Sequence, residues 1–131
     1  MLNVRHSGIV VKDLDRAHLF YHKMLGLETL SERVEEGKFI ETVLGMKSLK
    51  WRKYKSKEGE TLLELYELDD YTNVPTAYNH VAFTTDDIKK IENEFKFFGV
   101  PYVISKDTSG THMVMFCRDF DNNLLEIVEV L

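Results

Sequence analysis

Two stretches of this chain occur twice. LLELYEL at residues 62–68 returns as LLEIVEV at 124–130, and HSGIVVKDL at 6–14 returns as HVAFTTDDI at 80–88. A self-match of this kind is read before any other signal, because it makes each copy one supersecondary unit. Each copy opens with a His and closes with a Glu. His6, Glu64, His80 and Glu126 therefore hold equivalent places in two halves.

The 131 residues amount to about one domain, with 44% apolar residues to build a core and a formal charge of -5. That charge argues against nucleic acid, which calls for a basic stripe. The densest basic run, 47–57, is broken by Trp51, Tyr54 and Glu58 and reads as an exposed edge strand guarded by lysines. No apolar run is long enough to span a bilayer. The N-terminus lacks a signal peptide's basic and apolar regions, so the cytoplasm is the expected compartment. The single cysteine, Cys117, reads as a buried strand residue with no activating base nearby.

Taken in order, residues 5–11 read as a strand with His6, Gly8 and Val10 on one face and Ser7, Ile9 and Val11 on the other. Asp13 caps a helix over 14–25, whose stripe is Ala17, Phe20, Tyr21, Met24 and Leu25, and Gly26 ends it. Strands follow at 27–34, 49–55 and 61–68, with turns at 35–38 and 57–60. Residues 39–45 read equally as a short helix or a loop. A polar stretch at 69–77, containing Pro75, links the copies. The second copy repeats the order: a strand at 78–84, then a helix capped by Thr85 or Asp86 with Ile88, Ile91, Phe95 and Phe98 as its stripe. Gly99 ends that helix, and strands follow at 100–105, 111–117 and 124–130. The turn at 119–123 places Asn where a left-handed backbone is tolerated. The chain is thus expected to be one domain, 1–131, with module one at 1–68, a linker at 69–77 and module two at 78–131.

Alternation puts Glu126 on one face with Leu124 and Val128, and Glu64 with Leu62 and Tyr66. A carboxylate among apolar neighbours is costly to bury unpaired, and a metal or a proton relieves that cost. Two His and two Glu, one pair from each half, can converge on one divalent cation; imidazole and carboxylate suit Zn, Ni, Co, Fe or Mn. The plainer alternative keeps both histidines at a rim and both carboxylates in solvent. His18 and His22 have an i, i+4 ligand spacing, but they lie off the apolar stripe and read as a solvated helix face. His112 reads as a packed or rim residue.

These motifs resemble the vicinal oxygen chelate superfamily, which includes glyoxalase I, methylmalonyl-CoA epimerase, extradiol dioxygenases and the fosfomycin and bleomycin resistance proteins. The likeness rests on HSGIVVKDL, on Phe20 and Tyr21 with Leu25-Gly26-Leu27, on Leu63-Glu64-Leu65, on Asn79-His80, and on the run from Asp119 to Glu126. It covers nearly the whole chain and lies nearest the glyoxalase I and epimerase types. It implies an α+β fold of two βαβββ modules forming a cupped mixed sheet around a metal. It also implies that His6, Glu64, His80 and Glu126 are the metal ligands. Bacterial glyoxalases carry an Arg soon after the first His, where this chain has Ile9 and Val10. Their Asn after the second ligand falls near Leu68 here. The resemblance therefore implies the metal chemistry without fixing glutathione as co-substrate.

The implied function is a metal-dependent lyase or isomerase acting on a small substrate that chelates one divalent ion through two neighbouring oxygens. The ion stabilises a developing enediolate, and Glu64 or Glu126 moves the proton. An Fe(II) dioxygenase using His6, His80 and Glu126, and a metal-free resistance-type binding protein, are the alternatives. The expected partners are that substrate and a second copy of the chain in a homodimer, with neither nucleic acid nor membrane.

Overall fold

The computed structural model describes residues 6–38, 42, 47–55, 61–68, 80–107 and 109–131. The expected turn at 57–60, most of the 39–45 stretch, the linker and the first two residues of the 78–84 strand lie outside them. The chain divides into two compact units, Met1–Pro75 and Thr76–Leu131.

Unit one runs β1 (Ser7–Val11), α1 (Leu14–His18) continued by a π-helix (Leu19–Met24), β2 (Glu28–Glu36), β3 (Ser48–Lys55) and β4 (Thr61–Leu68). Its four strands lie in the order β1-β4-β3-β2. Unit two runs β5 (His80–Thr84), α2 (Ile88–Phe98), β6 (Tyr102–Lys106), β7 (His112–Arg118) and β8 (Leu124–Val130), in the order β5-β8-β7-β6. In each sheet the first and last strands pair in parallel and the rest are antiparallel. The fold is therefore α+β, two βαβββ modules with open mixed sheets, as expected from the repeat. A parallel pair needs a long crossover, and the helix and the remaining strands supply it in both units.

One face of each sheet carries the main core. In unit one this is Ile9, Val11, Leu63, Leu65 and Tyr54 with Leu14, Ala17, Phe20, Tyr21 and Met24. In unit two it is Met115, Cys117, Leu125 and Ile127 with Ile88, Ile91 and Phe95. Cys117 is buried as expected, and burial, aided by Asp119, pushes its thiol up to about 12.

Four readings of the sequence need correction. The first helix is α-helical only to His18; beyond it Leu25 N–H donates to Phe20 O at 3.1 Å, an i→i−5 bond. Phe20 and Tyr21 are both fully buried in this segment. β3 is an inner strand rather than an edge, paired with both β2 and β4, and its lysines meet carboxylates on both neighbours. Lys53 reaches Glu64, Lys50 reaches Glu67, and Lys55 reaches Glu28. The second helix is capped by Asp87, whose Oδ1 accepts from Lys90 N–H, while Thr85 Oγ1 accepts from Asp87 N–H. Of the histidine pair read as a solvated helix face, His22 is exposed but His18 is only partly so. Its Nδ1 lies 2.8 Å from Tyr54 Oη, and its ring stacks on His22 at 4.7 Å.

The repeated strand has a second role that alternation did not show. Glu67 Oε2 accepts from Leu14 N–H at 2.9 Å, and Glu129 Oε2 accepts from Ile88 N–H at 2.9 Å. Each module thus uses the outer Glu of its last strand to satisfy the first N–H of its own helix, beside the Asp13 or Asp87 cap. Loss of such a charged cap contact costs about 1–2 kcal/mol. Glu129→Ala is expected to lower the urea unfolding free energy by about that amount while leaving the far-UV spectrum of the folded chain unchanged.

His18 sets a second expectation. Burial first, then the charges of Arg52 and His22, hold its imidazole below its usual 6.5. The unfolded chain therefore binds this proton more readily, so the contribution is complete above 6.5 and is lost as pH falls toward the depressed folded value. His18→Gln should flatten the fall in urea midpoint between neutral and mildly acidic pH, measured against the unsubstituted chain.

Candidate metal centre

In unit one the parallel pairing of β1 and β4 sets Gly8 opposite Glu64 and Val10 opposite Tyr66. His6, two residues before Gly8, shares their face, and its Nε2 lies 2.8 Å from Glu64 Oε2. Glu64 is only 8% exposed. Burying an unpaired carboxylate to that depth would cost several kcal/mol, so its partners matter. Besides His6, it accepts a hydrogen bond from the Tyr66 hydroxyl and lies 3.4 Å from Lys53 Nζ through Oε1. Burial, and next the Glu64 carboxylate, push the Tyr66 phenol far above its usual value, so it stays a donor at neutral pH. The far nitrogen of His6, Nδ1, is buried with no hydrogen-bond partner among the described residues.

Gly8 makes the Tyr66 contact possible. A Cβ built there would stand 2.4 Å from Tyr66 Cε2. The bare backbone lets the ring lie across β1 and bring its hydroxyl to Glu64. On the same face Leu49 and Trp51 form a small apolar cluster with Tyr66 and Leu68. Arg33 and Lys53 stand 5.0 and 4.6 Å from the Trp51 ring centroid.

Unit two repeats the pair without its surroundings. β5 and β8 are parallel, with His80 opposite Leu124 and Ala82 opposite Glu126. His80 Nε2 lies 3.2 Å from Glu126 Oε2. The residue across from Glu126 is Phe116, where Lys53 stands across from Glu64. The Phe116 ring meets His80 edge-on at 5.9 Å. Ala82 and Val128 occupy the places of Gly8 and Tyr66, so no hydroxyl is aimed at Glu126 from that strand.

The structure thus brings His6 to Glu64 and His80 to Glu126, each within its own unit. Each pair offers one imidazole nitrogen and one carboxylate oxygen close enough to share a cation. Among the described residues no cluster of three or more His, Cys, Asp or Glu is gathered. His112 opens β7 instead, and its Nδ1 lies 3.0 Å from Asp107 Oδ2 in the turn before it. Sequence reading missed Tyr66 and Lys53. The signal available was the mismatch between copies, Gly8 and Tyr66 against Ala82 and Val128.

Two βαβββ modules, each ending in a carboxylate strand beside a histidine strand, define a paired-module protein with donors suited to a divalent metal. The glyoxalase/bleomycin resistance protein/dioxygenase superfamily model matches residues 3–127, and the chain belongs to this superfamily. It is 28% identical over 134 residues to the lactoylglutathione lyase of Haemophilus influenzae, covering 98% of this chain and 93% of that protein. A glyoxalase family protein from Bacillus cereus has the same fold, with a TM-score of 0.81 at 21% identity, covering 100% of this chain and 95% of that one. So does FosX, a fosfomycin resistance protein from Listeria monocytogenes, in a complex with Mn(II) and 1S,2S-dihydroxypropylphosphonic acid. There the TM-score is 0.67 at 20% identity, covering 97% of this chain and 89% of that one.

Gly8→Ala should displace the Tyr66 ring and cost about 1–3 kcal/mol in stability, as overpacking does. Denaturant unfolding checks the magnitude. Gly8→Ala should cost less when made in a Tyr66→Phe background than alone, because the ring can then move without giving up its hydroxyl contact to Glu64.

Proposed function

We propose that this protein is a metal-dependent lyase or isomerase of the glyoxalase I type, acting on a small substrate through two neighbouring oxygens. The observation that carries this reading is the recurrence of one His–Glu pair on the equivalent parallel strands of both units. The donor set fits the group: His6, Glu64, His80 and Glu126 together supply two nitrogens and two oxygens, a set suited to Zn, Ni, Co, Mn or Fe. The lactoylglutathione lyase likeness and the Mn(II) complex of FosX support the same choice. When bound, the ion would act as a Lewis acid toward a substrate carbonyl.

The chain's own groups do the rest. One of the two carboxylates takes the proton beside the carbonyl and returns it, which suits an isomerisation or an addition–elimination in which the proton stays in the site. Tyr66 and Lys53 restrain Glu64, so Glu64 keeps one orientation. The protein works as a homodimer in this reading.

Elemental analysis of protein purified without an affinity tag or added metal should find about one divalent ion per chain. His80→Ala and Glu126→Gln should each lower metal affinity at least tenfold, measured by competition with a chromophoric chelator. No ion, and no uptake on titration with several divalent metals, would sink the reading and leave a binding module. Iron that is lost in air would favour the dioxygenase.

A further inference from the structure

Lys53 is the cation that the reading above uses only as a restraint. The antiparallel register of β3 and β4 sets it directly opposite Glu64. Its side chain is 26% exposed, against 60% for Lys50 and 38% for Lys55 on the same strand. A part-buried ammonium on a sheet face is best placed beside a counter-charge. Here Lys53 Nζ lies 3.4 Å from the Glu64 carboxylate and 4.6 Å from the Trp51 ring centroid. Arg33, the other cation beside Trp51, already has its own ion pair with Glu35.

The balance changes if Glu64 serves as a metal ligand, the reading on which this inference rests. The carboxylate's charge is then drawn to the ion, and Lys53 loses most of its counter-charge. We propose that Lys53 anchors an anionic group of the substrate. The substrate class is a small 2-hydroxy or 2-oxo compound whose vicinal oxygens sit close beside a further carboxylate, phosphate or phosphonate. A neutral analogue would leave the ammonium without a counter-charge, which is a basis for preferring the anion. Phe116 holds the equivalent place across from Glu126, so the anion is read on the unit-one side alone.

The test uses the full-length, metal-loaded protein and two probes with the same number of carbons. Malate carries a second carboxylate beside its 2-hydroxy acid, and 2-hydroxybutyrate lacks it. Calorimetric titration of the unsubstituted protein should show malate bound about tenfold or more tighter, after correction for chelation of free ion. Lys53→Met should remove that preference, so that the two probes bind alike to the metal-loaded variant; Lys53→Arg should keep most of the preference. Equal affinity of the unsubstituted protein for the two probes overturns the proposal without recourse to any variant. A preference that survives Lys53→Met overturns it as well. Metal retained with no charge preference rejects this inference alone, whereas failure to take up metal rejects the four-ligand reading together with it.

Discussion

The parallel pairing of the first and last strand in each unit is the constraint on which the rest depends. It is the only arrangement in each sheet that sets a residue near the start of the unit beside one near its end. In unit one it brings His6 to Glu64, and in unit two His80 to Glu126. The same pairing carries Glu67 and Glu129 to the other face, where each accepts the first N–H of the crossover helix. One strand thus turns one carboxylate toward its histidine and the other toward the helix, on opposite faces by the alternation of the pleat.

The two units share this frame and differ in what surrounds the pair. Glu64 is nearly buried and has a tyrosine, a lysine and a histidine around it, while Glu126 faces a phenylalanine across the sheet. Duplicated geometry with unequal surroundings lets two chemically identical carboxylates behave differently. A carboxylate held by three donors keeps its place. The asymmetry stems from three substitutions between the copies, at Gly8 and Ala82, Tyr66 and Val128, and Lys53 and Phe116.

Much of the fold was legible in the residues. The duplicated motifs announced two equivalent units, Asp13, Gly26 and Gly99 marked helix ends, and Asn122 takes the left-handed backbone expected of the turn before β8. The reading failed where long-range contacts overrode local pattern. The lysines of β3 looked like edge protection because their carboxylate partners lie on other strands. His18 looked solvated because Tyr54 comes from a strand far along the chain. The π-helical turn was hidden because its apolar spacing matches that of an α-helix.

By itself the sequence determined the two-module organisation and the alternating faces of the repeated strand, and it picked out the His and Glu residues proposed as donors. Local periodicity and capping chemistry act over a few residues, and a repeat copies them intact. Only the tertiary structure decided which residues meet those donors. Register between strands distant in the chain put Lys53 across from Glu64, and the missing side chain of Gly8 opened the space through which Tyr66 reaches the same carboxylate. Such contacts depend on three-dimensional closeness between residues that no spacing in the sequence connects.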